Sequence, residues 1–134
     1  MTNDVNKKSM TAENLAKEAA LILLEKKARG VTLLNVSEYT SVTDYYVNVT
    51  AGSSQHVLSL ADAVDEKLTE LGEGPLRVEG RSGGCWILMD FGNVIVNIFD
   101  KENREFYKLD KLFPDECKKD ITDLVKIVDD KFNI

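Results

Sequence analysis

Residues 86–99 read Trp86-Ile87-Leu88-Met89-Asp90-Phe91-Gly92-Asn93-Val94-Ile95-Val96-Asn97-Ile98-Phe99. Two apolar runs, Cys85 to Asp90 and Val94 to Phe99, flank a Gly-Asn pair, the signature of a tight β-hairpin. A two-residue turn fixes the register. It sets Asp90 opposite Ile95, Leu88 opposite Asn97 and Trp86 opposite Phe99 on one side of the sheet. Ile87, Met89, Val94, Val96 and Ile98 fall on the other side. That second set is uniformly apolar and suits a core beneath helices. The first set mixes large apolar groups with Asp90 and Asn97, which an ordinary core would not select.

Outward from the hairpin, the pattern supplies the rest of an α/β domain. Thr11 is placed to cap a first helix, with Leu15, Ala16, Ala19, Ile22 and Leu23 at helical spacing and Arg29-Gly30 as its stop. Val31 to Val36 is a short branched strand. Asp44 to Ala51 alternates, with Tyr45, Val47, Val49 and Ala51 on one side and Tyr46, Asn48 and Thr50 on the other. Gly52-Ser53-Ser54 ends that strand and caps a helix whose face carries Val57, Leu60, Ala61, Val64, Leu68 and Leu71. Gly72 closes it. Leu76 to Glu79 is a short strand, and Gly80 to Gly84 a loop. Lys101 to Leu112 holds a short helical piece. After Pro114, a final amphipathic helix carries Ile121, Leu124, Val125, Val128 and Phe132. The expected fold is a mixed sheet of about five strands with helices packed mainly on one face. Residues 1–10 form a loose arm, 11–113 the domain and 114–134 a helical extension.

The sequence bounds function as well. Its 134 residues, 43% hydrophobic, fit one domain with one core. No stretch of about 18 apolar residues is present to span a bilayer, and Met1 to Met10 has neither a secretory nor an import pattern, so a cytoplasmic location is expected. One histidine and two cysteines, Cys85 and Cys117, without ligand spacing leave no zinc cage. Both cysteines are expected as free thiols, and no cofactor is expected. Seventeen Lys and Arg against 23 Asp and Glu give a net charge of -6. Phosphate backbones repel such a chain, so little direct nucleic-acid binding is expected, whereas a basic protein partner is electrostatically accessible.

Two readings of the Trp86 face stay open at this level. If all helices pack on the apolar side, Trp86 and its neighbours stay uncovered and have the composition of a protein interface. If the last helix crosses to the Trp86 side, that indole is ordinary core. The chemical alternative is a nucleotidyltransferase-like enzyme. Gly52-Ser53 at a helix start could hold phosphate, and His56 could serve as a base. The acidic half of such a site is missing, since no Asp-x-Asp pair follows on a strand, and Asp62 and Asp65 lie within a helix. A turn and a cap account for Gly52-Ser53 as well, and a hydrogen-bonding role for His56. Arg104 and Tyr107, after the last strand, could pack internally or reach a partner.

Several segments resemble one family in consistent order: Thr43-Asp44-Tyr45-Tyr46-Val47, Gly52-Ser53-Ser54-Gln55-His56-Val57, Ala61-Asp62-Ala63-Val64, Val78-Glu79-Gly80, Trp86 to Phe99, Arg104-Glu105-Phe106-Tyr107-Lys108-Leu109 and Leu112-Phe113. Across roughly residues 11–113 the chain resembles the ribosomal silencing factor (RsfS/Iojap) family. The resemblance implies a nucleotidyltransferase-like α/β fold without catalytic acids, and hence no enzyme. It implies binding to large-subunit ribosomal protein fourteen, which sterically keeps the small subunit off and represses translation when nutrients are scarce. It also implies a link to large-subunit biogenesis and a possible homodimer. The family's interface tryptophan corresponds to Trp86, with Leu88 and Asp90 on the same strand face; Arg104 and Tyr107 follow as further partner-binding positions. The chain departs from the family pattern at Asn97, where a histidine is usual, and at Phe113, where a tryptophan is usual.

Overall fold

A computed structural model describes residues 10–132 of the chain. The expected N-terminal arm lies, but for Met10, outside the described residues. The order is α1 (Ala12–Glu25), β1 (Arg29–Asn35), β2 (Tyr45–Thr50), α2 (Ser54–Glu70), β3 (Arg77–Glu79), β4 (Trp86–Asp90), β5 (Val94–Phe99), α3 (Lys101–Tyr107), two short 3₁₀ turns, and α4 (Thr122–Phe132). The five strands form one mixed sheet in the order β1-β2-β5-β4-β3. Only β2 and β5 run parallel, joined by the long crossover through α2 and the β3–β4 ribbon.

The hairpin has the register its turn dictates. Trp86 pairs with Phe99, Leu88 with Asn97 and Asp90 with Ile95. Gly92 takes φ 93°, the first turn position at which a side chain would be strained, and Phe91 N–H bonds the Val94 carbonyl at 2.8 Å to close the turn. On the helical face one row runs across all five strands: Leu33, Val47, Val96, Met89 and Val78. Above it α1 and α2 bury Leu15, Ala16, Ala19, Leu23, Val57, Leu60, Val64 and Leu68. The small residues Ala16, Ala19 and Ala61, fully buried, leave room for helix and sheet to approach closely.

Three expectations change. The first helix stops four residues before Arg29. It ends at Glu25, and Lys27 takes the left-handed position at φ 68°; Lys27 N–H bonds Leu24 O, and Ala28 N–H bonds Leu23 O, each at 3.0 Å. This is the Schellman arrangement, here accepted by a lysine. Gly30 lies instead inside β1, at φ 56°, where the register with β2 shifts. Leu71, counted on the α2 core face, is the helix's C-cap and 44% exposed. On α4 only Leu124 and Val128 are buried, and Phe132 is 63% exposed, so its apolar stripe is narrower than its spacing indicates.

Three helices, α1, α2 and α4, lie on the helical side; Leu124 of α4 joins the main core. The last helix therefore does not cover Trp86. The opposite, outer face is not bare either. Residues 101–118 run across its β1–β2 side: Arg104 of α3 bonds to Thr50 and Thr32, and Phe113 and Cys117 pack with Leu34, Val36 and Tyr46. Lys119 N–H then bonds Leu33 O at 2.8 Å and blunts the β1 edge. Neither open reading holds in its simple form. Half the outer face is covered, by the short helix α3 and the irregular stretch after it, and the β4–β3 half keeps Trp86, Leu88 and Asp90 partly open.

Candidate functional site

Strand alternation delivers Trp86, Leu88 and Asp90 to the outer face, each half-buried, while Ile87 and Met89 between them are fully buried. The indole of Trp86 stacks on Phe99, its cross-strand partner, with centroids 5.1 Å apart and planes at 29°. Its Nε1–H donates to Asn97 Oδ1 at 3.0 Å, and Asn97 Nδ2 donates to Asn48 Oδ1 at 3.0 Å. Asn48 and Asn97 are 1% exposed, so this is a buried polar row within an apolar face. Among the described residues no buried side-chain nitrogen or oxygen lacks a partner. Gly80, at φ 90°, lies against the Trp86 backbone. A Cβ there would collide with the Trp86 carbonyl oxygen, so only glycine lets the chain pass.

The charges at this end of the sheet are organised by pairing. β3 sets Arg77 beside Asp90 and Glu79 beside Leu88. Arg77 Nε meets Glu79 Oε2 at 2.9 Å and its Nη2 meets Asp90 Oδ2 at 3.3 Å. Asp90 Oδ1 accepts the Gly92 N–H at 2.8 Å. Asp90 thus serves the hairpin turn with one oxygen and presents the other to Arg77. These pairs are too exposed to contribute much stability. They leave two carboxylates around one guanidinium at the Asp90 end of the strand that begins with Trp86. Sequence reasoning missed Arg77 and Glu79. Period-two alternation in Arg77-Val78-Glu79 puts both on one face, but the strand pairing that brings them to Leu88 and Asp90 has no local signal.

Arg104 lies on the β1–β2 side of the same face, and its acceptor Thr50 pairs with Phe99, which pairs in turn with Trp86. Nη1 donates to Thr50 Oγ1 at 3.1 Å, and Nη2 to the Gly30 carbonyl at 2.9 Å and Thr32 Oγ1 at 3.4 Å. It ties α3 to β1 and β2 through groups that lie 54 to 74 residues away in sequence. The Tyr107 side chain lies outside the described residues.

The Gly52–His56 turn is internally engaged. Ser53 caps α2, accepting from His56 N–H at 3.1 Å. Gly52 N–H donates to His56 Nδ1 at 2.8 Å, so the ring proton sits on Nε2, which donates to the Lys26 carbonyl at 2.9 Å. His56 thereby satisfies an end carbonyl of α1 and the N–H of a turn residue. The Gly52 N–H and the His56 ring are thus both used within the chain. We expect His56→Ala to cost about 1 kcal/mol of stability, because both backbone groups fall back on water. Urea denaturation checks this, and a midpoint equal to wild type would contradict it.

The family model described as "Ribosomal silencing factor during starvation" matches residues 9–132, nearly the whole chain. The chain belongs to the ribosomal silencing factor family. It is 29% identical over 106 residues to the ribosomal silencing factor of Bacillus subtilis, covering 79% of this chain and 90% of that one. It is 25% identical to the mouse protein named for mitochondrial assembly of the ribosomal large subunit, covering 69% of this chain and 42% of that protein. A Chromobacterium violaceum crystal structure superposes with a TM-score of 0.75 at 30% identity, covering 77% of this chain and 86% of that one. A second, from Bacillus halodurans, gives 0.64 at 31% identity, covering 76% and 92%. In this silencing-factor chain the half-open part of the outer face lies on β4 and β3. No helix among the described residues is long and apolar enough to cross a membrane. Cys85 and Cys117 are both free.

Proposed function

We propose that this chain binds the large ribosomal subunit through large-subunit ribosomal protein fourteen, and that the bound protein sterically prevents the small subunit from joining, repressing translation. The observation that carries the reading is the half-buried Trp86, set between Phe99 below and Leu88 and Asp90 alongside, on the part of the outer face that residues 101–118 do not cover. An aromatic ring on a partly apolar strand face that ends in the carboxylates of Glu79 and Asp90 suits a basic protein surface. The net charge of -6 favours such a partner over bare RNA. Family membership supports a ribosomal role, and the mouse relative's name extends it toward large-subunit assembly. Arg104 and Tyr107 are further partner-binding positions in this reading. A homodimer through the same patch would compete with the ribosome, and a cytoplasmic location goes with the reading. The nucleotide-binding alternative is weakened at His56, the base it would need, because both ring nitrogens are hydrogen-bonded within the chain.

Co-sedimentation with separately purified large and small subunits tests the reading. The protein is expected to pellet with the large subunit alone, less so as salt rises. Pelleting with neither, or equally with both, would refute it.

A further inference from the structure

We infer that Asn97 and Asn48 are positioning residues for Trp86: a buried amide pair whose hydrogen-bond direction holds the indole in the orientation that the partner meets. The inference rests on the interface reading above and deepens it. An indole N–H can only donate. Asn97 must therefore turn Oδ1 toward Trp86 Nε1, 3.0 Å away, and its Nδ2 is then directed at Asn48 Oδ1, also at 3.0 Å. The orientation of each amide follows from the one before it. Register makes the line possible, since Asn48 lies beside Asn97 in the parallel β2–β5 pair and Asn97 opposite Leu88 in the antiparallel hairpin. Trp86 is diagonal to Asn97 across that hairpin, two residues from its direct opposite, which a long side chain can span.

Burial argues that the pair does more than fill space. Both asparagines are 1% exposed in the middle of a face whose other β5 residues, Ile95 and Phe99, are apolar. Two amides there cost more than two aliphatic side chains of similar volume unless each bond is made. Stacking on Phe99 alone would let the ring slide or flip, because such contacts tolerate several offsets. A directional bond to Nε1 selects one. An indole held in advance loses less freedom on binding.

Trp86 is the chain's single tryptophan, so its fluorescence reports this ring alone. The test compares Asn97→Leu, Asn97→His and Trp86→Phe, with Asn97→Leu also made in the Trp86→Phe background. Two readouts are used: acrylamide quenching of the free protein and affinity for purified large subunits. Asn97→Leu is expected to raise quenching and to weaken binding about tenfold, equivalent to losing one buried directional bond. Asn97→His, whose neutral ring offers one acceptor and one donor, should restore both. In the Trp86→Phe background, Asn97→Leu should weaken binding no further. If Asn97→Leu does not fold, Asn97→Val, smaller and β-branched, carries the same comparison. Unchanged quenching in a folded Asn97 variant overturns the inference. So does an equal loss of affinity with Phe at position 86, which would make Asn97 merely structural. Failure of the interface reading is separable: Trp86→Phe and Trp86→Ala would then both bind as wild type, while quenching still decides whether Asn97 holds the ring.

Discussion

Trp86→Ala is expected to weaken binding to the large ribosomal subunit by about 2 kcal/mol, roughly 30-fold. The indole is the largest side chain on the open part of the outer face, and its position over Phe99 holds it in advance. Truncation removes the ring, exposes the Phe99 face to water and frees Asn97 Oδ1. The helical-face core, from Leu33 through Val96 to Met89, is untouched, so the variant should fold. Its stability loss should stay below that of a core truncation, because Trp86 is only half-buried. Isothermal titration or quantitative co-sedimentation gives the affinity, and circular dichroism confirms the fold. An affinity within about twofold of wild type would remove Trp86 from the interface, since a twofold change is below about 0.5 kcal/mol.

Phe99→Ala should have the larger effect on stability, about 3–5 kcal/mol. Phe99 is 1% exposed at the end of the central strand, which is buried on both faces along its whole length. Its removal opens a cavity under the indole that a β-strand cannot collapse to fill. Against a typical total of about 5–15 kcal/mol, that is a large share. The melting temperature should fall by roughly 10–20 °C. Leu76→Ala, at a residue 76% exposed, is the control and should melt as wild type does. A loss below about 1 kcal/mol at Phe99 would mean that the outer face is not packed as described.

The two predictions draw on different parts of the fold, and those parts were not equally legible in the sequence. The β4–β5 register could be read at residue resolution because a two-residue turn leaves one pairing, and because a slip by one would put Asn97 and Asp90 in the core. Gly72 marks the end of α2 correctly. Gly30 misleads for α1, because Lys27 occupies the left-handed position and Gly30 answers a different need, the bulge in β1. The covering of the outer face by residues 101–118 was hidden, since that segment holds its place by pairing with distant groups rather than by periodicity. Arg104 shows this: its acceptors are Gly30, Thr32 and Thr50, none of which carries a local signal.

The site divides in the same way. Trp86, Leu88 and Asp90 share a face by alternation alone, and the sequence places them together. Asn97 looked out of place in the strand pattern, and its role as the acceptor for Trp86 follows only from the side-chain geometry. Alternation gives Asp90 its place on that face but not its partners: one oxygen closes the Gly92 turn and the other meets Arg77. A basic partner would have to compete with Arg77 for that carboxylate, so Asp90 should contribute less to binding than Trp86.

Subunit joining is the most direct test of the central claim. Purified large and small subunits are mixed in a sucrose gradient, under ionic conditions that support joining, with the protein in excess. The account predicts separate large- and small-subunit peaks, the protein migrating with the large one, and recovery of the joined peak with Trp86→Ala. A joined peak of normal size in the presence of the wild-type protein would contradict it.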